Sequence, residues 1–123
     1  MKPEEVKFKA KLKGIKKLVK VMRLDFEEKH IIINTGTFNE PRYLVFKFED
    51  VEQLLQWTGF KDKEGNEIYD GTNFKYDNNL YIVKRLKNGG FWAIDQRPNM
   101  KGFPLNSGET GFSVVVGNVY EED

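Results

Sequence analysis

Several groupings of side chains in this chain have types and spacings that could do chemistry. Asp62-x-Glu64-x-Asn66, followed by Asp70, sets oxygen ligands two residues apart, as a calcium loop does. An EF-hand loop also needs Gly at its sixth position and Glu at its twelfth, and those positions hold Glu67 and Asn73. The run reads instead as a hairpin turn, and no metal or other cofactor is expected. His30 can be written with Asp25 and either Ser107 or Ser113 as a nucleophilic triad, but no nucleophile elbow or Gly-rich oxyanion loop accompanies them. Gly89-Gly90 lacks a phosphate-loop pattern and a following helix. No catalytic residue is assigned, and the chain is read as a non-enzyme. Two groupings suit binding. Lys7, Lys9, Lys11 and Lys13 alternate with apolar residues, so a strand would present them along one face, where they could meet phosphates. Lys84, Arg85, Lys87, Trp92 and Arg97 gather basic and aromatic character around one hairpin, a combination that stacks single-stranded bases. The structural alternatives are lysines that keep an edge strand soluble and a Trp92 that belongs to the core.

Composition narrows the chemistry further. The chain has 123 residues, no cysteine, one histidine, and serine only at 107 and 113. That excludes a disulfide framework, a thiol nucleophile and Cys-ligated zinc. Ten Phe, five Tyr and two Trp supply enough apolar area for a core and argue against disorder. Apolar runs are short, such as Ile31–Ile33 and Val114–Val116, far below the ~20 residues that span a bilayer. Met1–Glu5 lacks the apolar centre of a secretory leader and the chain has no cysteine, so a cytoplasmic protein is expected. Eight Lys and Arg23 against two Glu give +7 over residues 1–23, leaving −6 for the rest of a chain whose total is +1. The basic segment either marks a nucleic-acid patch or lies against the acidic remainder.

The elements that would position these residues are strands. Val6 to Lys13 alternates with period two. Leu18 to Phe26 reads as a second strand with Met22, Leu24 and Phe26 on one face. His30–Asn34 and Tyr43–Phe48 follow. Asp50, with Gln53 three residues on, could cap one helical turn, and an extended path into Trp57 competes with it. Trp57–Lys61 and Asn66–Tyr69 flank Asp62-Lys63-Glu64-Gly65, a turn with Gly65 in the left-handed region. Further strands are expected at 73–76, 80–86, 91–95 and 112–120, with an irregular stretch from Pro98 to Gly108. The reading is all-β: an N-terminal β-meander over 1–56 packed on a C-terminal SH3-like roll or barrel over 57–123, with one shared core and at most one short helical turn.

Leu54-Leu55-Gln56-Trp57-Thr58-Gly59-Phe60-Lys61-Asp62, continuing through Gly65 to Glu67-Ile68-Tyr69-Asp70-Gly71, resembles the hallmark of the YopX family of phage and prophage proteins, mostly of Gram-positive bacteria. Phe8 to Phe26 and Val116–Glu121 are similar to that family's first hairpin and C-terminal motif. The resemblance implies an all-β fold with an SH3-like part and a phage or prophage origin, and it carries no established activity. Lys9 and Lys11 stand where the family usually has Arg-x-Trp, and Thr72-Asn73 where it has Asp-Ile. Trp57, Gly59, Gly65, Ile68, Tyr69 and Gly71 read as anchors and turn positions, a folding signature. The expected role is a protein-interaction module that binds a protein partner or itself through an exposed β edge or aromatic patch, with no membrane. The alternative is a small β-barrel that binds nucleic acid through the lysine face.

Overall fold

The computed structural model describes residues 6–122; Met1–Glu5, read above for a leader, and Asp123 lie outside them. The protein is all-β. Its strands are β1 Phe8–Leu12, β2 Val19–Val21, β3 Arg23–Asp25, β4 His30–Asn34, β5 Tyr43–Lys47, β6 Val51–Lys61, β7 Glu67–Tyr69, β8 Thr72–Tyr76, β9 Asn79–Arg85, β10 Phe91–Asp95, β11 Phe103–Pro104 and β12 Val114–Asn118. They form three sheets, ordered β2-β1-β6-β7, β3-β4-β5 and β11-β10-β9-β8-β12. The helical turn that Asp50 could cap does not form: Val51 onward is extended in β6, the competing path, and a 3-10 turn at Phe48–Asp50 precedes it. The stretch read as irregular holds β11 and a one-turn helix, α1 Ser107–Thr110, capped by the Asn106 side chain. Among the described residues no helix is long and apolar enough to cross a membrane.

The chain divides into two compact units. One comprises residues 7–55 and the tail 120–122, the other residue 6 and 56–119. The first builds its core from Ala10, Leu12, Ile31 and Ile33, flanked by Val19, Val21, Leu24 and Phe46. The alternation from Val6 does make β1, and its Ala10 and Leu12 are buried. The segment Leu18 to Phe26 is not one strand. It bends at Met22 into β2, which pairs with β1, and β3, which pairs with β4. The Met22 amide donates to the Ile32 carbonyl at 2.9 Å. Odd-numbered Val19 and Val21 pack inward before the bend and even-numbered Leu24 after it, because one residue out of register reverses the face. Met22 and Phe26, expected beside Leu24, are exposed. The tail is tied in the same unit: the Glu122 amide donates to the Lys16 carbonyl at 2.9 Å.

The second unit is centred on Ile68, Phe74, Tyr81, Val83, Ala93 and Leu105. Phe74 and Tyr81 stack with ring centroids 5.5 Å apart, and Phe103 meets Tyr81 at 4.9 Å. Apolar side chains on alternate positions of β8, β9 and β10 share the inner face, as period two requires. Burial pushes the Tyr81 phenol above its ordinary pKa.

The hallmark segment folds into a bulged strand and a tight turn. Trp57 pairs with Tyr69 and Lys61 with Glu67, so β6 spends four residues where β7 spends two. Gly59 takes up the excess with φ +91°, a region that side-chain-bearing residues avoid. The hydroxyl of Thr58 donates to the Ile68 carbonyl at 2.7 Å and accepts from the Phe60 amide at 3.2 Å. The Trp57 indole donates to the Phe60 carbonyl at 3.0 Å. Beyond the bulge, the Asp62 amide donates to the Asn66 carbonyl and Gly65 turns the chain with φ +85°.

Asp62 is 5% exposed. Its Oδ1 accepts from the amides of Glu64 at 2.9 Å and Asn66 at 2.8 Å; its Oδ2 accepts from Asn66 Nδ2 at 3.1 Å and from the Val115 amide at 2.9 Å. Both side-chain oxygens of Asp62, the first position of the apparent calcium loop, thus accept from N–H donors. Burial opposes the charge, but the Val115 amide and the other donors outweigh it and hold the carboxyl below its ordinary pKa.

Two outcomes test this account. A Cβ at Gly65 meets open space, so Gly65→Ala carries only the backbone cost, and we expect a loss of about 1 kcal/mol in urea unfolding. Asp62→Asn at neutral pH should cost about 2–3 kcal/mol, since an amide replaces a charged acceptor of four donors. With its folded pKa depressed, the Asp62 contribution is complete above the unfolded value and is lost as pH falls through the folded one. The gap between wild type and Asp62→Asn should therefore close as the pH drops below 3.8, the ordinary value.

Candidate functional site

The sheet β3-β4-β5 ends on β5, and among the described residues nothing pairs with its far side. β5 forms because Tyr43 and Phe46 are aromatic and Val45 is β-branched, and because the β4–β5 connection is fixed by side chains. Asn34 Oδ1 accepts from the amides of Gly36 and Arg42, each at 2.9 Å, and Thr37 Oγ1 from Glu40 at 3.0 Å. Phe38 stands at the tip of this loop, 98% exposed.

The direction of each β5 backbone group follows from the ladder. The register is Asn34↔Tyr43 through His30↔Lys47. The Thr35 amide donates to the Arg42 carbonyl at 2.8 Å, and the Phe48 amide to the Lys29 carbonyl at 2.8 Å. Hydrogen-bonded pairs alternate in an antiparallel ladder. Arg42, Leu44, Phe46 and Phe48 therefore face β4 with their backbone groups, whereas Tyr43, Val45 and Lys47 point theirs away from the sheet. Side chains alternate in the same way. Phe46 packs on the core opposite Ile31, while Tyr43 and Val45 lie on the outer face, 57% and 58% exposed. Leu44 is 46% exposed although it lies on the Ile33 side.

Two hollows flank this sheet. One, about 370 Å³, is lined mainly by apolar side chains, among them Leu24, Phe26, Phe48 and Leu54, together with Glu52 and Gln53, and Phe26 meets Phe48 edge to face at 5.8 Å. The other, about 530 Å³, adjoins β5 and mixes charge: Glu28, Lys29, His30, Val45, Lys47 and Glu49. His30 and Asp25 are cross-strand neighbours with Nε2 and Oδ2 3.8 Å apart. Ser113 is fully buried and its hydroxyl donates to the Thr110 carbonyl at 2.7 Å.

Several other strand edges are short or partly covered. On β12 the Val115 amide is bonded to Asp62 and the Ser113 carbonyl just before it accepts from Lys63. β2, β3 and β7 have three residues each and β11 two. Proteins manage exposed edges with short strands, charges and covering segments. β5 has five residues, one Lys and an apolar exposed face.

Of the residues singled out for nucleic-acid contact, Lys11 does not join the exposed face expected of it. Lys7 and Lys13 are exposed and Lys9 is half-buried, but Lys11 is 3% exposed. Both faces of β1 are covered there, and period two alone cannot tell such a strand from one with a wet face. Lys11 Nζ donates to the Leu12 carbonyl at 3.1 Å and lies 3.8 Å from Glu52 and 3.6 Å from Glu122. Lys84 and Trp92 are cross-strand partners and share a face; Arg85 pairs with Phe91 on the other. The Trp92 indole donates to the Lys101 carbonyl at 3.0 Å. Arg97 is tied to Asp95 by two guanidinium bonds of 3.1 and 2.7 Å, and these hold the Asp95 carboxyl below its ordinary pKa. The hallmark residues Trp57, Gly59, Gly65, Ile68, Tyr69 and Gly71 serve the core, bulge and turns of the second unit. Residue-level signals for β5 exist in the sequence, since Tyr43–Phe46 carries no charge or Pro, but a buried strand has the same composition.

Among the described residues, fold and site together define an all-β protein of two compact units in which β5 presents an open, apolar strand edge. The family profile described as YopX protein matches residues 7–123, and the chain belongs to that family. No curated protein matches it.

The burial of one lysine among four is directly measurable. Lys11→Ala should cost about 1–3 kcal/mol through its buried stem and lost hydrogen bond, while Lys13→Ala stays within about 0.5 kcal/mol. Lys11→Met, which keeps the stem, should recover at least half of the loss in urea unfolding.

Proposed function

We propose that this YopX-family chain is a non-enzymatic interaction module, of phage or prophage type and working in the bacterial cytoplasm, that takes up an extended protein segment along β5. The observation that carries the reading is the row of outward backbone groups at Tyr43, Val45 and Lys47 beneath exposed apolar side chains. Strand addition uses main-chain hydrogen bonds for affinity and alternate side chains for selectivity. β5 supplies the first through three residues and the second through Tyr43 and Val45. Phe38 at one end and Phe26 in the same unit offer aromatic anchors of the kind that dominate interface energies. Membership of a phage family supports the setting, and the absence of any assigned nucleophile or acid–base pair in the sequence agrees with binding as the activity.

The test is capture of partners from cells that produce the protein, comparing wild type with Val45→Pro and with Lys20→Gln as a surface control. Val45 points its N–H away from β4, so proline there removes an outward donor while leaving the β4 ladder intact. Captured protein should fall by about tenfold or more in Val45→Pro and be unchanged in Lys20→Gln. Equal capture by all three would end the strand-addition reading.

A further inference from the structure

We infer that the segment taken up by β5 is β5 of a second copy, paired antiparallel about a two-fold axis through Val45. The inference rests on the strand-addition reading and names its occupant. The backbone groups that point outward belong to Tyr43, Val45 and Lys47. Pairing Val45 with Val45 of a second copy sets Tyr43 opposite Lys47 and Lys47 opposite Tyr43. Each of these is then a hydrogen-bonded pair that exchanges two N–H···O bonds, so every outward group on both strands is satisfied. Sliding the register by two residues either way leaves one of the three residues unpaired on each strand. The strand is therefore complementary to itself in one register, as a two-fold contact requires.

Side chains agree with that register. The only charge in β5 is Lys47. The two-fold places it across from the exposed Tyr43 ring, where a cation is attracted to the aromatic face, and keeps the two lysines apart. Leu44 meets Phe46 on the face that carries the core, and Val45 meets itself on the outer one. Two three-stranded sheets would join into one sheet of six. The contact is small, which places the dimer among weak, concentration-dependent ones.

The chain has no cysteine, so single thiols report the register without background. Sedimentation equilibrium of the full chain should show a dimer at about 0.5 mM that dissociates on dilution, as weak contacts do. Val45→Pro removes both bonds donated at the axis and should weaken association about 10- to 100-fold. Val45→Lys sets two charges on the axis and should do the same if the proline variant folds poorly. Under mild oxidation Val45→Cys should cross-link to itself, because paired Cα atoms about 5.5 Å apart accept a disulfide. Lys47→Cys alone should not, being separated from its twin by about 13 Å along the strand, whereas a mixture of Tyr43→Cys and Lys47→Cys should. A monomeric wild type at that concentration overturns the second copy as occupant; the capture experiment then decides strand addition independently. A dimer that survives both Val45 variants and gives no Val45→Cys cross-link overturns it as well, by placing self-association on another surface.

Discussion

A buried carboxylate must be either neutral or surrounded by donors, and Asp62 meets that constraint with four of them. Three come from its own turn and one from Val115, 53 residues along the chain. One ion thus closes the hairpin between β6 and β7 and fastens the outer side of β12. The donors are worth more to a charged acceptor than to a neutral one, which is why the pKa moves down despite burial. The same bonds consume a backbone donor that would otherwise lie open on the edge of the five-stranded sheet. In this unit, local turn chemistry and protection of an edge are a single interaction.

The first unit has no such device on β5. Its four-residue neighbourhood of Tyr43, Leu44, Val45 and Phe46 carries no charge, no proline and no bulge, and its side chains are more exposed than a core strand allows. Strands of that kind pair with others unless something prevents it. Lys47 is the sole charge, and it limits which registers a like strand can adopt rather than blocking the edge. Coverage at β12 and openness at β5 are the contrast on which the functional reading stands.

Local patterns were legible where the physics is local. Alternation placed β1, β-branched content placed β4, and turn residues bounded β8, β9, β10 and β12, while β11 lies in the stretch read as irregular; the Asp62–Gly65 turn was readable because Gly is the residue that best suits a left-handed φ. The family resemblance was readable because the Leu54–Gly71 motif is long. What could not be read depends on residues distant in sequence. Lys11 looks like its three neighbours until Glu52, Glu122 and the covering strands are in place. The reversal of face at Met22 follows from β2 and β3 choosing different partners, β1 and β4. The open edge was expected in kind but not in position, since composition does not distinguish an apolar strand that is covered from one that is not.

The hallmark can now be given a physical meaning. Trp57, Thr58, Gly59 and Phe60 form one hydrogen-bonded bulge, with the indole, the hydroxyl and a left-handed glycine each supplying a bond or a conformation that common substitutes lack. Asp62, Gly65 and Asn66 build the turn that follows. A motif of this kind is kept by folding, so it reports the family without reporting what a member binds. The β5 strand lies outside the motif, in the other unit, and is free to differ in sequence without disturbing the bulge. Under the proposed strand addition, selectivity would belong to the side chains of the open edge, and the long motif is the part least informative about it.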